Sequence, residues 1–268
     1  MSRSVRKEKD QGRDLPILFQ QINTTMKIET NQGDIKINIP KHFTKIGLKH
    51  SGGLDSTILA YILALYKRDY RPEIDIIPIT LVQSTKPFQW MYAHMTQEKI
   101  TELTGIEFGK HYFRMYESAN ILEGQDELVI ELYNEEIIEA HFYGVTLNPP
   151  LDAFPLMLAT TDDGTKLRDT DRDPLPNGKL YPTLCEDHLW QPFANIDKRG
   201  INDLYNLLGV MDELFPLTHS CENYNSHTGM QLDLSKHCGL VDNCWWCAER
   251  KWGFGRLDGL PLDMIRPS

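Results

Sequence analysis

Ile46-Gly47-Leu48-Lys49-His50-Ser51-Gly52-Gly53-Leu54-Asp55-Ser56-Thr57 is the stretch whose reading decides the fold. A short apolar run enters Ser51-Gly52-Gly53, and Ile58, Leu59, Tyr61, Ile62 and Leu65 follow at helical spacing. The order reads as strand, tight turn, helix. Two successive glycines let the backbone turn sharply and approach a ligand with no Cβ in the way. Freed amides at the helix start, with the helix dipole behind them, make an anion site. Ser51, Ser56 and Thr57 add hydroxyls suited to phosphate oxygens. No Gly-Lys-Ser or Gly-Lys-Thr follows the glycines, which excludes a Walker-type loop. Asp55 would repel a bare phosphate, so it either caps the helix or holds a metal ion beside the phosphates.

The flanking chain extends this unit into an α/β pattern. Residues 26–40 alternate around Asn31-Gln32-Gly33-Asp34 and predict a β-hairpin that covers a sheet edge. Residues 74–82 form a buried-strand candidate, and Pro78 within it predicts an edge position or a bulge. Residues 91–104 have helical spacing and stop at Gly105. His111-Tyr112-Phe113 is a weak strand, residues 126–140 predict an amphipathic helix, and residues 142–147 a further strand. Strands alternating with helices imply a Rossmann-like parallel sheet with helices on both faces. Ligands bind such sheets at the carboxyl ends of strands, where the Ser51 turn and Gly144 both fall. Residues 149–190, rich in charge, Pro and Gly, read as an insertion or lid. Asp197 suits an N-cap, and Lys198 in the first turn of the next helix opposes the dipole, which suggests that it reaches an anion.

Composition narrows the classes. The 268 residues are 41% hydrophobic and 25% charged, as in an ordinary globular protein. Neither a bilayer-length apolar run nor a secretory h-region is visible, so a cytoplasmic location without a membrane partner is expected. A net charge of -10 weighs against a large nucleic-acid footprint and favours a small-molecule substrate. Residues 1–20 read as a mobile, solvated tail. Of five cysteines, Cys185 stands apart as a free thiol, and Cys221, Cys238, Cys244 and Cys247 crowd towards the C-terminus. Cys244-Trp245-Trp246-Cys247 is a zinc-knuckle spacing, and four thiolates make a closed structural Zn²⁺ site. His219, His227 and His237 are near enough to replace one thiolate. The tryptophans of this region and Phe254 are expected to pack a small lobe, and Arg250 to pair with a carboxylate or phosphate or to cap its helix.

The stretch from Ser51 to Thr57 resembles the Ser-Gly-Gly-x-Asp-Ser signature of the PP-loop ATP pyrophosphatases, whose fold is that of the adenine nucleotide α-hydrolases. The C-terminal half resembles the 7-cyano-7-deazaguanine synthases within them. The residues that carry this are Pro192 with Lys198, Gly209-Val210, Ser220-Cys221, Cys238-Gly239, and Cys244 and Cys247 followed by Arg250 and Phe254. The resemblance implies a ligase of queuosine biosynthesis that uses ATP, Mg²⁺ and structural Zn²⁺. It would activate 7-carboxy-7-deazaguanine as an acyl-adenylate, ammonia would give the amide, a second ATP would drive its dehydration to the nitrile, and a homodimer is open to it. Ser51, Gly52, Gly53, Leu54, Asp55, Ser56, Thr57 and Gly144 would hold ATP, and Asp55, Lys198 and Arg250 would be catalytic. Residues 1–42 would be tail and hairpin, 43–215 the ATP-binding domain and 216–268 the zinc lobe. Fifty residues precede the glycine turn, and the cysteine spacing is longer than in that family, which leaves a divergent substrate or an amide endpoint open. Two other readings stand beside it: ATP-dependent sulfur transfer to tRNA or a metabolite, and a non-catalytic ATP-binding module that docks a partner through the zinc lobe.

Overall fold

The computed structural model describes residues 25–83, 88–116, 121–150, 170–185, 188–220 and 245–256. Strands β1 (Thr25–Thr30) and β2 (Gly33–Asn38) form the expected antiparallel hairpin. Strands β3 (Lys45–Lys49), β4 (Asp75–Gln83), β5 (Tyr112–Tyr116), β6 (Ala140–Phe142) and β7 (Leu189–Trp190) form one sheet. Its order is β5-β4-β3-β6-β7, and every pairing is parallel. Between the strands run helices α1 (Leu54–Asp69), α2 (Gln89–Thr104) and α3 (Ile121–Asn134). Then come α4 (Lys198–Leu207), the short α5 (Met211–Leu214) and α6 (Trp245–Phe254).

The two faces of the sheet are built from alternating side chains. Ile46, Leu48 and Ile76 pack with α1, with Ile100 of α2 and with Ile201, Leu204 and Tyr205 of α4. Ile77 and Ile79 point the other way, onto Leu128, Val129 and Leu132 of α3. Crossovers from β3 to β4 to β5, then back to β6, produce this two-sided cover. The result is the doubly wound arrangement expected from the sequence, with its reversal of strand order between β3 and β6. Helix α1 is buried all round from Ile58 to Tyr66, because helices and the hairpin cover the faces that the sheet does not. Among the described residues no helix is long and apolar enough to cross a membrane.

Several expectations are corrected. Pro78 lies on an interior strand, between β3 and β5. Its missing N–H is tolerated because even-numbered residues of β4 aim their backbone groups at β5, as Ile76 does in accepting from Gly109 N at 2.8 Å. Pairing with β5 begins only at Ile79, one residue past the proline. Helix α3 ends at Asn134, not near 140; the chain turns through Glu136 at φ 54°, and Ile137 and Ile138 lead into β6. Strand β6 ends at Phe142, so Gly144 lies beyond it. Two-residue β7, inside the span read as an insertion, is too short to leave a periodic signal. Residues 1–20 and the 151–169 part of that insertion lie outside the described residues.

The hairpin does not pair with the edge of the five-stranded sheet. It buries Met26, Ile35 and Ile37 in the same apolar cluster as β3 and α1. The buried Arg71 guanidinium donates to the carbonyls of Ile39 (2.8 Å) and Phe43 (3.1 Å), tying the hairpin exit to the end of α1. Its turn reaches α4: Gln32 Nε2 donates to Asp197 Oδ1 at 2.7 Å, and Asp197 N donates to Gln32 Oε1 at 2.9 Å.

Candidate active site

The carboxyl end of β3 opens into the glycine turn. Gly52 has φ 73°, and a side chain there would bring Cβ within 2.5 Å of Ala93 N and Tyr92 Cβ, so only glycine fits. Gly53 is the N-cap of α1 and makes no side-chain cap bond. The two serines brace the turn: Ser56 Oγ donates to Gly53 O and lies 3.2 Å from Ser51 Oγ, which accepts from Gly53 N at 3.3 Å. Both serines, with Gly53, Leu54, Asp55 and Gly144, line a cavity of about 230 Å³ at the reversal point of the sheet. Gly52 and Thr57 are not among its lining residues, and Thr57 is fully buried in α1.

Asp55 does not cap the helix. Its Oδ2 forms an ion pair with Lys198 Nζ, from 143 residues away. Asp197 caps α4 as expected, accepting from Arg199 N at 2.8 Å, and so directs Lys198 into the cavity wall. Lys198 also meets Thr146 Oγ1 at 3.3 Å and Glu249 Oε2 at 3.7 Å. The anions it reaches in this structure are two carboxylates. Close packing sets the geometry. A Cβ on Gly253 of α6 would fall 2.5 Å from Lys198 Cβ, and one on Gly144 would fall 3.0 Å from the Asp55 carbonyl carbon.

Glu249 is 3% exposed and lines the cavity. Burial holds its carboxyl pKa above the ordinary value, and Lys198 and Arg172 offset only part of that rise. Asp55 Oδ1 and Glu249 Oε1 are buried and have no hydrogen-bond partner among the described residues. Arg172 completes the charged wall; its NH2 donates to Asn148 Oδ1 at 3.3 Å, and Asn148 Nδ2 donates to Asp173 Oδ1 at 2.7 Å. Aromatic side chains line the cavity as well. His219 stacks on Tyr92 at 4.8 Å and 18° and donates its backbone N–H to Gly52 O, and Phe88, Tyr143 and Trp246 lie around it. His50 Nε2 sits 2.9 Å from Thr96 Oγ1 and 3.1 Å from Ala93 O. Burial, with His111 nearby, pushes the His50 pKa down to about 3, so the ring is neutral.

Arg250, expected to be catalytic, does not line the cavity and is fully buried. It donates to Thr218 Oγ1 (2.8 Å), Ser220 Oγ (3.2 Å) and Phe215 O (3.1 Å), and stacks 4.0 Å over the Phe215 ring. Its work is to seat α6 on the 215–220 segment. The cavity residue is its neighbour Glu249, and no sequence signal marked it. Arg172 lay in the presumed insertion and was equally silent. Phe254 packs on Phe215 and Tyr205, against the main core. Of the cysteines, Cys185 is a free, half-buried thiol and Cys247 is buried in α6. Cys221, Cys238 and Cys244 lie outside the described residues, as do His227 and His237.

No family model matches the chain, and no curated protein matches it by sequence. Among solved structures it is similar to the U34-tRNA thiolase NcsA from Methanococcus maripaludis with its 4Fe–4S cluster. The TM-score is 0.38 and the identity 17%, over 62% of this chain and 58% of that one. The chain thus spans little more than half the length of that enzyme. The parallel, doubly wound assignment stands on this chain's own strand pairing.

Proposed function

We propose that this chain is an ATP pyrophosphatase of the PP-loop kind that activates a carboxylic acid as its acyl-adenylate, with 7-carboxy-7-deazaguanine as the acid and ammonia as the nitrogen donor. One observation carries the first half: the glycine turn at the sheet's reversal point faces a buried lysine delivered by α4. The turn's amides and serine hydroxyls suit phosphate oxygens, and Lys198 suits the charge that grows on the α-phosphate as the acid attacks. The acid attacks for itself, so no protein nucleophile is needed, and proximity with electrostatics supplies the rate. The choice of acid and of ammonia rests on the sequence resemblance.

Mg²⁺ fits the chemistry of the acidic wall. Asp55 Oδ1 is a buried, acceptor-only oxygen with no partner among the described residues, beside the turn. Asp55 would hold the ion, which when bound neutralises phosphate charge. A Zn²⁺ ion on Cys221, Cys238, Cys244 and Cys247 is proposed as the clamp at the start of α6.

The test is release of AMP and pyrophosphate from Mg-ATP and ammonium, with and without 7-carboxy-7-deazaguanine, with product masses recorded. Acid-dependent AMP and an amide or nitrile product is the expected result. Lys198→Met should lower AMP formation by about 100-fold or more, the scale of losing a preorganised charge partner. Nucleotide binding without AMP would overturn the reading in favour of a docking module. AMP formation that needs a sulfur donor and a tRNA would move it to sulfur transfer.

A further inference from the structure

Glu249 is a carboxylate of the cavity that the adenylation reading leaves without a task. It enters from α6, on the opposite chain segment from Asp55, and the two carboxylates flank one lysine. Its Oε2 faces Lys198 Nζ at 3.7 Å, and its buried Oε1 has no partner among the described residues. A buried, unpaired carboxylate oxygen costs free energy that a bound donor recovers. It also stands where the phosphates of a nucleotide would repel it, so its complement is a cation or an N–H group.

A divalent metal is the poorer occupant. A divalent cation wants several oxygen ligands, and Glu249 offers one carboxylate already facing Lys198, whereas Asp55 lies beside the turn where phosphate oxygens would supply the rest. An ammonium ion asks less: it offers four N–H donors in a compact charge and needs only a few acceptors, of which a carboxylate is the strongest. The position suits the reaction as well. A nitrogen donor must lie against the acyl carbon, and that carbon is bonded to the oxygen on the α-phosphate that Lys198 would face.

We propose, resting on the adenylation reading above, that the Glu249 carboxylate binds the nitrogen donor as ammonium beside Lys198. The ammonium gives one proton to solvent, the resulting ammonia attacks the acyl carbon through its lone pair, and AMP leaves with the electrons of the broken C–O bond. Glu249 is then a substrate-binding residue of the second half-reaction and has no part in forming the adenylate.

Glu249→Gln and Glu249→Asp test this through three readouts: acid-dependent exchange of pyrophosphate into ATP, the KM for ammonium in amide formation, and the KM for hydroxylamine in hydroxamate formation. Hydroxylamine is uncharged at neutral pH and serves as the neutral nucleophile. The expected result for Glu249→Gln is a KM for ammonium raised about tenfold or more. Its kcat at saturating ammonium should be lowered much less, and its KM for hydroxylamine raised less than threefold. Glu249→Asp keeps the charge and should restore part of the ammonium affinity. An unchanged KM for ammonium overturns the inference. So does an equal rise in both KM values, or a loss of exchange that matches the loss of amide formation; each would make Glu249 a support for Lys198. Wild-type protein that forms no AMP with the acid would instead overturn the adenylation reading itself, and the two failures are told apart by the exchange assay.

Discussion

His50 shows at the scale of one residue how burial becomes pH dependence. Its ring is 1% exposed, bonded through Nε2 to the α2 backbone and Thr96, and its pKa falls from the usual 6.5 to about 3. Below pH 6.5 the unfolded chain takes up a proton that the folded ring refuses. Stability from this group is therefore complete above about pH 6.5 and is lost as pH falls towards 3. At about 1.4 kcal/mol per unit, the step from pH 6.5 to 4.5 removes roughly 2–3 kcal/mol. His111, pushed down by burial to about 4, adds a loss of the same sign. Urea midpoints at pH 7 and pH 4.5 should fall further apart in the wild type than in His50→Gln. An equal fall in both would show that His50 does not titrate as its burial requires.

At the scale of elements, the site depends on how closely α6 lies against α4. Gly253 permits the contact, since any Cβ there would fall 2.5 Å from Lys198 Cβ and 3.0 Å from its carbonyl oxygen. Gly253→Ala should push the helices apart, at a cost of about 1–3 kcal/mol typical of overpacking. It should also lower AMP formation more than stability alone explains, because Lys198 and Glu249 sit on the two helices that separate. Thermal melting together with AMP release at a temperature where the variant stays folded would measure both. Full activity in a folded Gly253→Ala variant would mean that this helix contact does not position the site. Pro78 and β7 teach a related lesson about elements. A proline is tolerated on an interior strand when its neighbour starts one residue later, and a strand can be too short to show in any pattern.

For the whole molecule, the hairpin and the sheet domain share one core. Ile37 is fully buried in the cluster that also holds Leu48, Ile62 and Trp190. Ile37→Ala should cost about 2–5 kcal/mol, and the loss should appear in every probe of the fold. Urea unfolding followed by tryptophan fluorescence, which reports from residues outside the hairpin, should shift by the same amount as unfolding followed by circular dichroism. A fluorescence midpoint that stays in place while the circular dichroism changes would show that the hairpin unfolds alone.

The glycine turn, the strand before it and the helix after it were legible from Ile46 to Thr57, because strand alternation, two adjacent glycines and a following helix are local features. The Gly105 stop of α2 and the Asp197 cap of α4 were legible for the same reason. The partners of Lys198 were not. Asp55 and Glu249 lie far from it in the chain, and only the packed helices bring three charges together. That Glu249 lines the cavity and Arg250 does not has an equally simple cause. Neighbouring residues on a helix point about 100° apart, so the rotation of α6 about its own axis decides which one meets the cavity. Gly253 against Lys198, and Arg250 against Phe215 and Thr218, fix that rotation. The sequence by itself determined the glycine turn and the order of strands and helices as far as β6, since both are written in short-range spacing. Tertiary packing decided which charged groups face it, since that depends on helix rotations set by contacts distant in the chain.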